Sequence, residues 1–136
     1  MRMKGYAVTT VAPNTDGLLD PRTVEAAFRP DTGLVCVQAV NNETGVMQDV
    51  GALAEIAGKH GVRYLCDGVQ SFGHVEQPLN KADFISVSAH KLGGPKGVGW
   101  LIARWPNQIT ALIDGGGQEF GARSGTENVA GIAGFA

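Results

Sequence analysis

In Ser88-Ala89-His90-Lys91-Leu92-Gly93-Gly94-Pro95-Lys96-Gly97 a single lysine stands between hydroxyl and imidazole donors on one side and a glycine-rich turn on the other. A primary amine condenses reversibly with a carbonyl, and pyridoxal phosphate enzymes use that Schiff base to hold their aldehyde cofactor before handing it to an amino acid. Ser88 and His90 are able to donate to phosphate oxygens, and the glycines let backbone approach closely. Taken alone, a His-Lys pair beside Gly and Pro is more often an exposed turn than a cofactor site. Nucleotide-binding alternatives fit poorly. Gly94-Pro95-Lys96-Gly97 lacks the Ser or Thr that follows a Walker lysine, and Gly115-Gly116-Gly117-Gln118-Glu119-Phe120-Gly121 has the wrong spacing for a dinucleotide fingerprint.

A second group narrows the choice. The apolar run 62–66 ends in Asp67-Gly68-Val69-Gln70, which places a carboxylate and a carboxamide just past a predicted buried strand. In open α/β sheets ligands bind at the C-terminal ends of strands. A carboxylate there is able to pair with a protonated pyridine nitrogen and keep the ring electron-accepting, and Gln70 to donate to a phenolate oxygen. A helix cap or turn residue is the plainer reading of Asp67.

These elements must be positioned by a scaffold, and the pattern predicts a three-layer α/β sandwich around a mainly parallel sheet. Residues 6–11 are strand-like, and Asn14-Thr15-Asp16-Gly17 is a turn. Asp20 and Pro21 open a helix running to about Phe28. Strands are expected over 34–40, 62–66, 83–87 and 97–103, helices over 52–59 and from Asn128 onward. Asn42, Asp67 and Ser88 with Lys91 then each follow a strand end, and parallel neighbouring strands bring them to one edge.

Four blocks carry a family resemblance: Val40-Asn41-Asn42-Glu43-Thr44-Gly45 with Gln48, Asp67-Gly68-Val69-Gln70-Ser71-Phe72-Gly73, the lysine segment, and Gly115-Gly116-Gly117-Gln118-Glu119 leading to Arg123-Ser124-Gly125-Thr126-Glu127-Asn128. In order and spacing they resemble the class V aminotransferases, pyridoxal phosphate enzymes of fold type I, and within them the NifS/IscS type of cysteine desulfurase. The resemblance implies Lys91 as Schiff-base lysine and proton carrier, Asp67 at the pyridinium nitrogen, Gln70 at the phenolate oxygen, and Ser88 and His90 at the phosphate. It also implies Asn42 beside the cofactor and the substrate carboxylate, and Thr126 at the phosphate of a neighbouring subunit's cofactor, hence a homodimer. Lys96 matches the NifS/IscS branch, where the SufS branch commonly has threonine. Gly68 and Gln118 depart from a frequent alanine and histidine.

The implied reaction takes L-cysteine to L-alanine and leaves sulfur on an enzyme cysteine as a persulfide, for delivery to an iron-sulfur scaffold or thiolation protein. Another class V enzyme, an aminotransferase or a selenocysteine lyase, shares Asp67, Gln70 and Lys91, and a non-catalytic remnant is a third reading. With 136 residues the chain is far shorter than members of that family. Residues 1–136 are therefore expected to be a partial cofactor-binding large domain, cut from a longer protein or encoded by a truncated gene. The ring-stacking histidine, the cysteine loop and the carboxylate-binding arginine would lie outside it.

Composition points to a cytoplasmic enzyme. The net charge of −2 gives no basic patch for nucleic acid, no apolar stretch is long enough to span a bilayer, and Met1-Arg2-Met3-Lys4-Gly5 lacks the apolar region of a signal peptide. Two cysteines and three scattered histidines make no disulfide or metal pattern. Cys36 lies in an apolar β-branched run that predicts a buried strand, and Cys66 closes another. Buried thiols are poor nucleophiles, so neither is assigned to catalysis.

Overall fold

The computed structural model describes residues 5–136. Its centre is a four-stranded sheet in the order β1 (Leu34–Gln38), β2 (Arg63–Asp67), β3 (Phe84–Ser88), β4 (Gly99–Ala103). The first three strands are parallel and β4 runs antiparallel to β3. Helix α1 (Pro21–Ala26) starts where Asp20 accepts from the Arg22 N–H and Pro21 fills the first turn, a position that needs no N–H donor. Helix α2 (Val50–Lys59) is capped by Asp49, which accepts from the Ala52 N–H, and forms the crossover between β1 and β2. A short α3 (Val129–Ala133) begins at Asn128.

The strands alternate faces, and that alternation decides what is buried. Val37, Tyr64, Cys66, Ile85 and Val87 point to the side of α1 and α2, where Val24, Val50, Leu53 and Ala57 complete the core. The opposite face carries Leu34, Cys36, Leu65 and Phe84. Here one expectation fails: Cys36 is exposed, because a period-two strand sends it away from the helical layer. An apolar run suggests burial on both faces, which holds only for strands covered twice.

Three further differences concern elements. Residues 6–11 form no strand, although Tyr6, Val8 and Val11 favour one. Strand propensity is chiefly the fit of a side chain to a half-buried pleated surface, and this segment has no strand beside it among the described residues. Only Val11 packs against the core. The first sheet strand stops at Gln38, two residues early, since the chain turns back through an isolated bridge between Val40 and Met47. Helix α2 starts at Val50 because the Asp49 cap sets its origin.

The β3–β4 connection holds the lysine segment. The antiparallel ladder closes with Ser88 opposite Gly99, and the Ala89 N–H continues it to the Val98 carbonyl at 3.0 Å. A side chain at Gly99 would bring a Cβ within 2.6 Å of the Val87 carbonyl oxygen, so glycine is required for the hairpin to close this tightly.

Candidate active site

Register brings the strand ends together. Asp67 is paired with Gln38 of β1 on one side and Ser86 of β3 on the other. One carboxylate oxygen of Asp67, Oδ1, accepts from the Ser86 hydroxyl at 3.0 Å and from the Val69 N–H at 3.1 Å. Its other oxygen has no hydrogen-bond partner among the described residues, and the side chain is half-buried. A carboxylate held by one oxygen with the other free is suited to a cationic N–H. Gln70 lies three residues on, half-buried in the turn that the Phe72 N–H closes onto the Gly68 carbonyl at 2.8 Å.

Asn42 is exposed in the loop after β1, where its Oδ1 lies 3.4 Å from Gln38 Nε2 as acceptor. The neighbouring Asn41 serves the loop itself, since its Oδ1 accepts from the Glu43 and Thr44 N–H groups, each at 3.0 Å, and holds the turn closed. Of the two asparagines, Asn42 is therefore the one whose side-chain oxygen is not engaged in holding this loop closed.

Ser88 ends β3, and its hydroxyl meets His90 Nδ1 at 2.8 Å. Whichever of the two donates, a proton remains: if the hydroxyl donates, the ring keeps its Nε2–H; if Nδ1–H donates, the hydroxyl hydrogen is free. Either arrangement leaves a donor for an anion. Lys91 closes the 3₁₀ turn Ala89–Lys91, is exposed, and its amine has no ion-pair or hydrogen-bond partner among the described residues. A free amine, a carboxylate with one open oxygen, a carboxamide and a hydroxyl–imidazole pair are the donor set that an aldehyde bearing a pyridine nitrogen and a phosphate requires. The residues fit pyridoxal phosphate.

Thr126 is exposed on the loop between Ser124 and α3, and no hydrogen bond joins it to the strand-end groups. Its loop is anchored elsewhere. The Gly125 N–H donates to Gln118 Oε1 at 3.0 Å, and the Gly117 N–H to the Ser124 hydroxyl at 3.3 Å. Among the described residues no three His, Cys, Asp or Glu side chains gather as a metal would need, and no helix is long and apolar enough to cross a membrane.

Three residues around the site are not signalled by the sequence. Ser86 and Gln38 share the face of Asp67, which period two shows only once the register is known. His74 is one of the three scattered histidines, yet its ring reaches the Lys91 carbonyl at 2.8 Å. No local signal marks that contact.

Both thiols lie above the ordinary cysteine range, Cys36 through partial desolvation of its sulfur although the residue is exposed, and Cys66 through burial and then the Asp67 charge, against a lowering contact with Tyr64. Such thiols are weakly populated as thiolates at neutral pH. Cys66→Ser should destabilise the folded domain by about 1–3 kcal/mol by burying a hydroxyl, while exposed Cys36→Ser stays within about 0.5 kcal/mol of the parent. Urea midpoints of the two variants check this, and equal losses would mean that Cys36 is covered in the folded protein.

Solved structures of similar proteins give the fold its class. SspA in complex with cysteine superposes with a TM-score of 0.91 at 37% identity, over 96% of this chain and 39% of that one. A NifS-like protein gives 0.89 at 40% identity, over 97% of this chain and 37% of that one. The fold is thus the mainly parallel α/β domain of fold type I pyridoxal phosphate enzymes.

The family model for aminotransferase class-V matches residues 1–136, and the chain belongs to that family, whose members are generally pyridoxal phosphate-dependent. A cysteine desulfurase IscS of Anaeromyxobacter dehalogenans (strain 2CP-C) is 48% identical over 139 residues, a match taking in 99% of this chain and 34% of the relative. The chain spans about a third of the length of that curated relative.

Proposed function

We propose that this chain is the central part of the large cofactor domain of a cytoplasmic, pyridoxal phosphate-dependent cysteine desulfurase acting on L-cysteine. The observation that carries the reading is the register Gln38–Asp67–Ser86, which lines up a half-free carboxylate with the Asn42 loop before it and the Ser88–Lys91 turn after it. The names and identities of the relatives support the choice of desulfurase within the family.

The bound cofactor supplies an electron sink for the bond electrons released at the substrate's α-carbon. Asp67 would keep a proton on the pyridine nitrogen, its orientation fixed by Ser86 and the Val69 N–H. Gln70 would donate to the phenolate oxygen, and Ser88 and His90 would hold the phosphate. The Lys91 amine would take the α-proton of L-cysteine and return it, while Asn42 receives the substrate carboxylate. A thiolate outside these residues would then attack the substrate sulfur: an S–S bond forms, the C–S bond breaks with its electron pair going to the β-carbon, which takes up a proton to become the methyl group of L-alanine, and an enzyme persulfide results. Iron-sulfur scaffolds or thiolation proteins would accept that sulfur.

A complete framework for testing this is a curated relative in which these 136 residues replace the matching third. Incubated with L-cysteine and no amino acceptor, it should form alanine and persulfide in equal amounts. A requirement for a keto acid would make it an aminotransferase, and a strong preference for selenocysteine a lyase.

Thr126 belongs to this reading as a residue acting in the partner subunit of a homodimer. Leu112 and Phe120, on the segment leading to Thr126, are fully exposed, and Glu119 and Phe120 hold left-handed φ values of 51° and 56°. Apolar side chains so presented suit an interface. In the complete framework, mixing Thr126→Ala with Lys91→Ala subunits should restore activity above either parent, because one site of the mixed dimer keeps both residues. No recovery, with mixed dimers formed and the Thr126→Ala parent impaired, would place Thr126 in its own subunit's site or outside it.

A further inference from the structure

We propose that His74 is a positioning residue for Lys91, holding the turn from which the lysine amine projects; this rests on the reading of Lys91 as the amine that links the cofactor. His74 lies in the turn after β2, its own N–H donating to the Ser71 carbonyl at 3.0 Å. Its Nε2 is 2.8 Å from the Lys91 carbonyl oxygen. A carbonyl only accepts, so Nε2 must carry the hydrogen and the tautomer is set.

The rest of the lysine turn is committed elsewhere. The Leu92 and Gly94 N–H groups both donate to the Ala89 carbonyl, each at 2.9 Å, and the Ala89 N–H is tied to β4. The Lys91 carbonyl thus meets the imidazole. A second contact sits beside it: Gly73 has φ +75°, and a Cβ there would come within 2.8 Å of Leu92 Cδ2. The β2 turn is therefore docked on the lysine turn at two successive residues, Lys91 through a hydrogen bond and Leu92 through close packing. Lys91 carries a long, rotamer-rich stem, and a backbone that wandered would widen the range of its amine further. Holding a catalytic group near its reactive position is worth rate. His74 is exposed, so its ring is not there to fill the core.

The test uses the loaded complete framework with His74→Leu, which cannot donate, and His74→Gln, whose amide can. In His74→Leu, borohydride should still label Lys91, and the Leu92 and Gly94 amides should exchange about tenfold faster. The pH at which the lysine–cofactor absorbance titrates should move, and kcat should fall about tenfold with KM within about twofold. His74→Gln should recover most of each change. Label on Lys91 with titration, exchange and kcat all unchanged in His74→Leu overturns the role of His74 alone. Label on another lysine overturns the reading of Lys91 and the positioning role with it. Nitrogen shifts of the unsubstituted protein need no variant: an Nε2 without hydrogen overturns the proposal.

Discussion

Lys91→Ala in the complete framework should abolish Schiff-base absorbance and lower turnover by at least about a thousandfold. Two proposed functions would vanish together, the covalent linkage and the proton carrier, and acid–base catalysis alone contributes on the order of 10²–10⁴. The competitor is Lys96, five residues on and also exposed. It lies beyond Gly93, Gly94 and Pro95, on the far side of the turn that the Gly94 N–H closes onto Ala89. Lys91 instead follows directly on the hydrogen-bonded Ser88–His90 pair, the proposed phosphate donors. Borohydride reduction and peptide mapping decide between them. Label on Lys96, or a Lys91→Ala protein that keeps its absorbance, would end the assignment.

The strand ends are legible in the sequence because chemistry and punctuation coincide there. A short apolar run that breaks into Asp67-Gly68 or into Ser88 marks both the end of a strand and the residues presented at it. Two features are not legible. Residues 6–11 have the composition of a strand, yet pairing is a long-range property that local composition does not report. Cys36 sits in an apolar run whose alternation is hidden because the side chains of both faces are apolar: Val35 and Val37 face the helices, Leu34 and Cys36 the other side. Contacts between separate turns are equally silent. His74 and Lys91 are seventeen residues apart, and only the pairing of β2 with β3 brings their turns together. The roles of the site residues come through the family resemblance; what the fold adds is the register that makes Ser86 the anchor of Asp67.

Asp67→Ala should leave cofactor binding measurable and slow catalysis severely, by about a hundredfold or more. In the proposed role the carboxylate would keep a proton on the pyridine nitrogen, and without it the ring would lose much of its capacity to accept electrons. Binding should survive because, in the proposed roles, Lys91 would still supply the covalent bond, and Ser88 and His90, hydrogen-bonded to each other, would still offer donors to the phosphate. Asp67→Glu should recover only part of the rate. The longer side chain keeps the charge, but the two bonds that orient Oδ1, from Ser86 and the Val69 N–H, are set for the shorter one. Misplacement of a charged group by about an ångström costs on the order of a hundredfold. The discriminating measurement is the split between cofactor affinity and turnover. A fall in affinity with normal turnover of the loaded fraction would make Asp67 a binding group only. Near wild-type turnover in the alanine variant would mean that the proton on the ring is held by something other than the carboxylate at the end of β2.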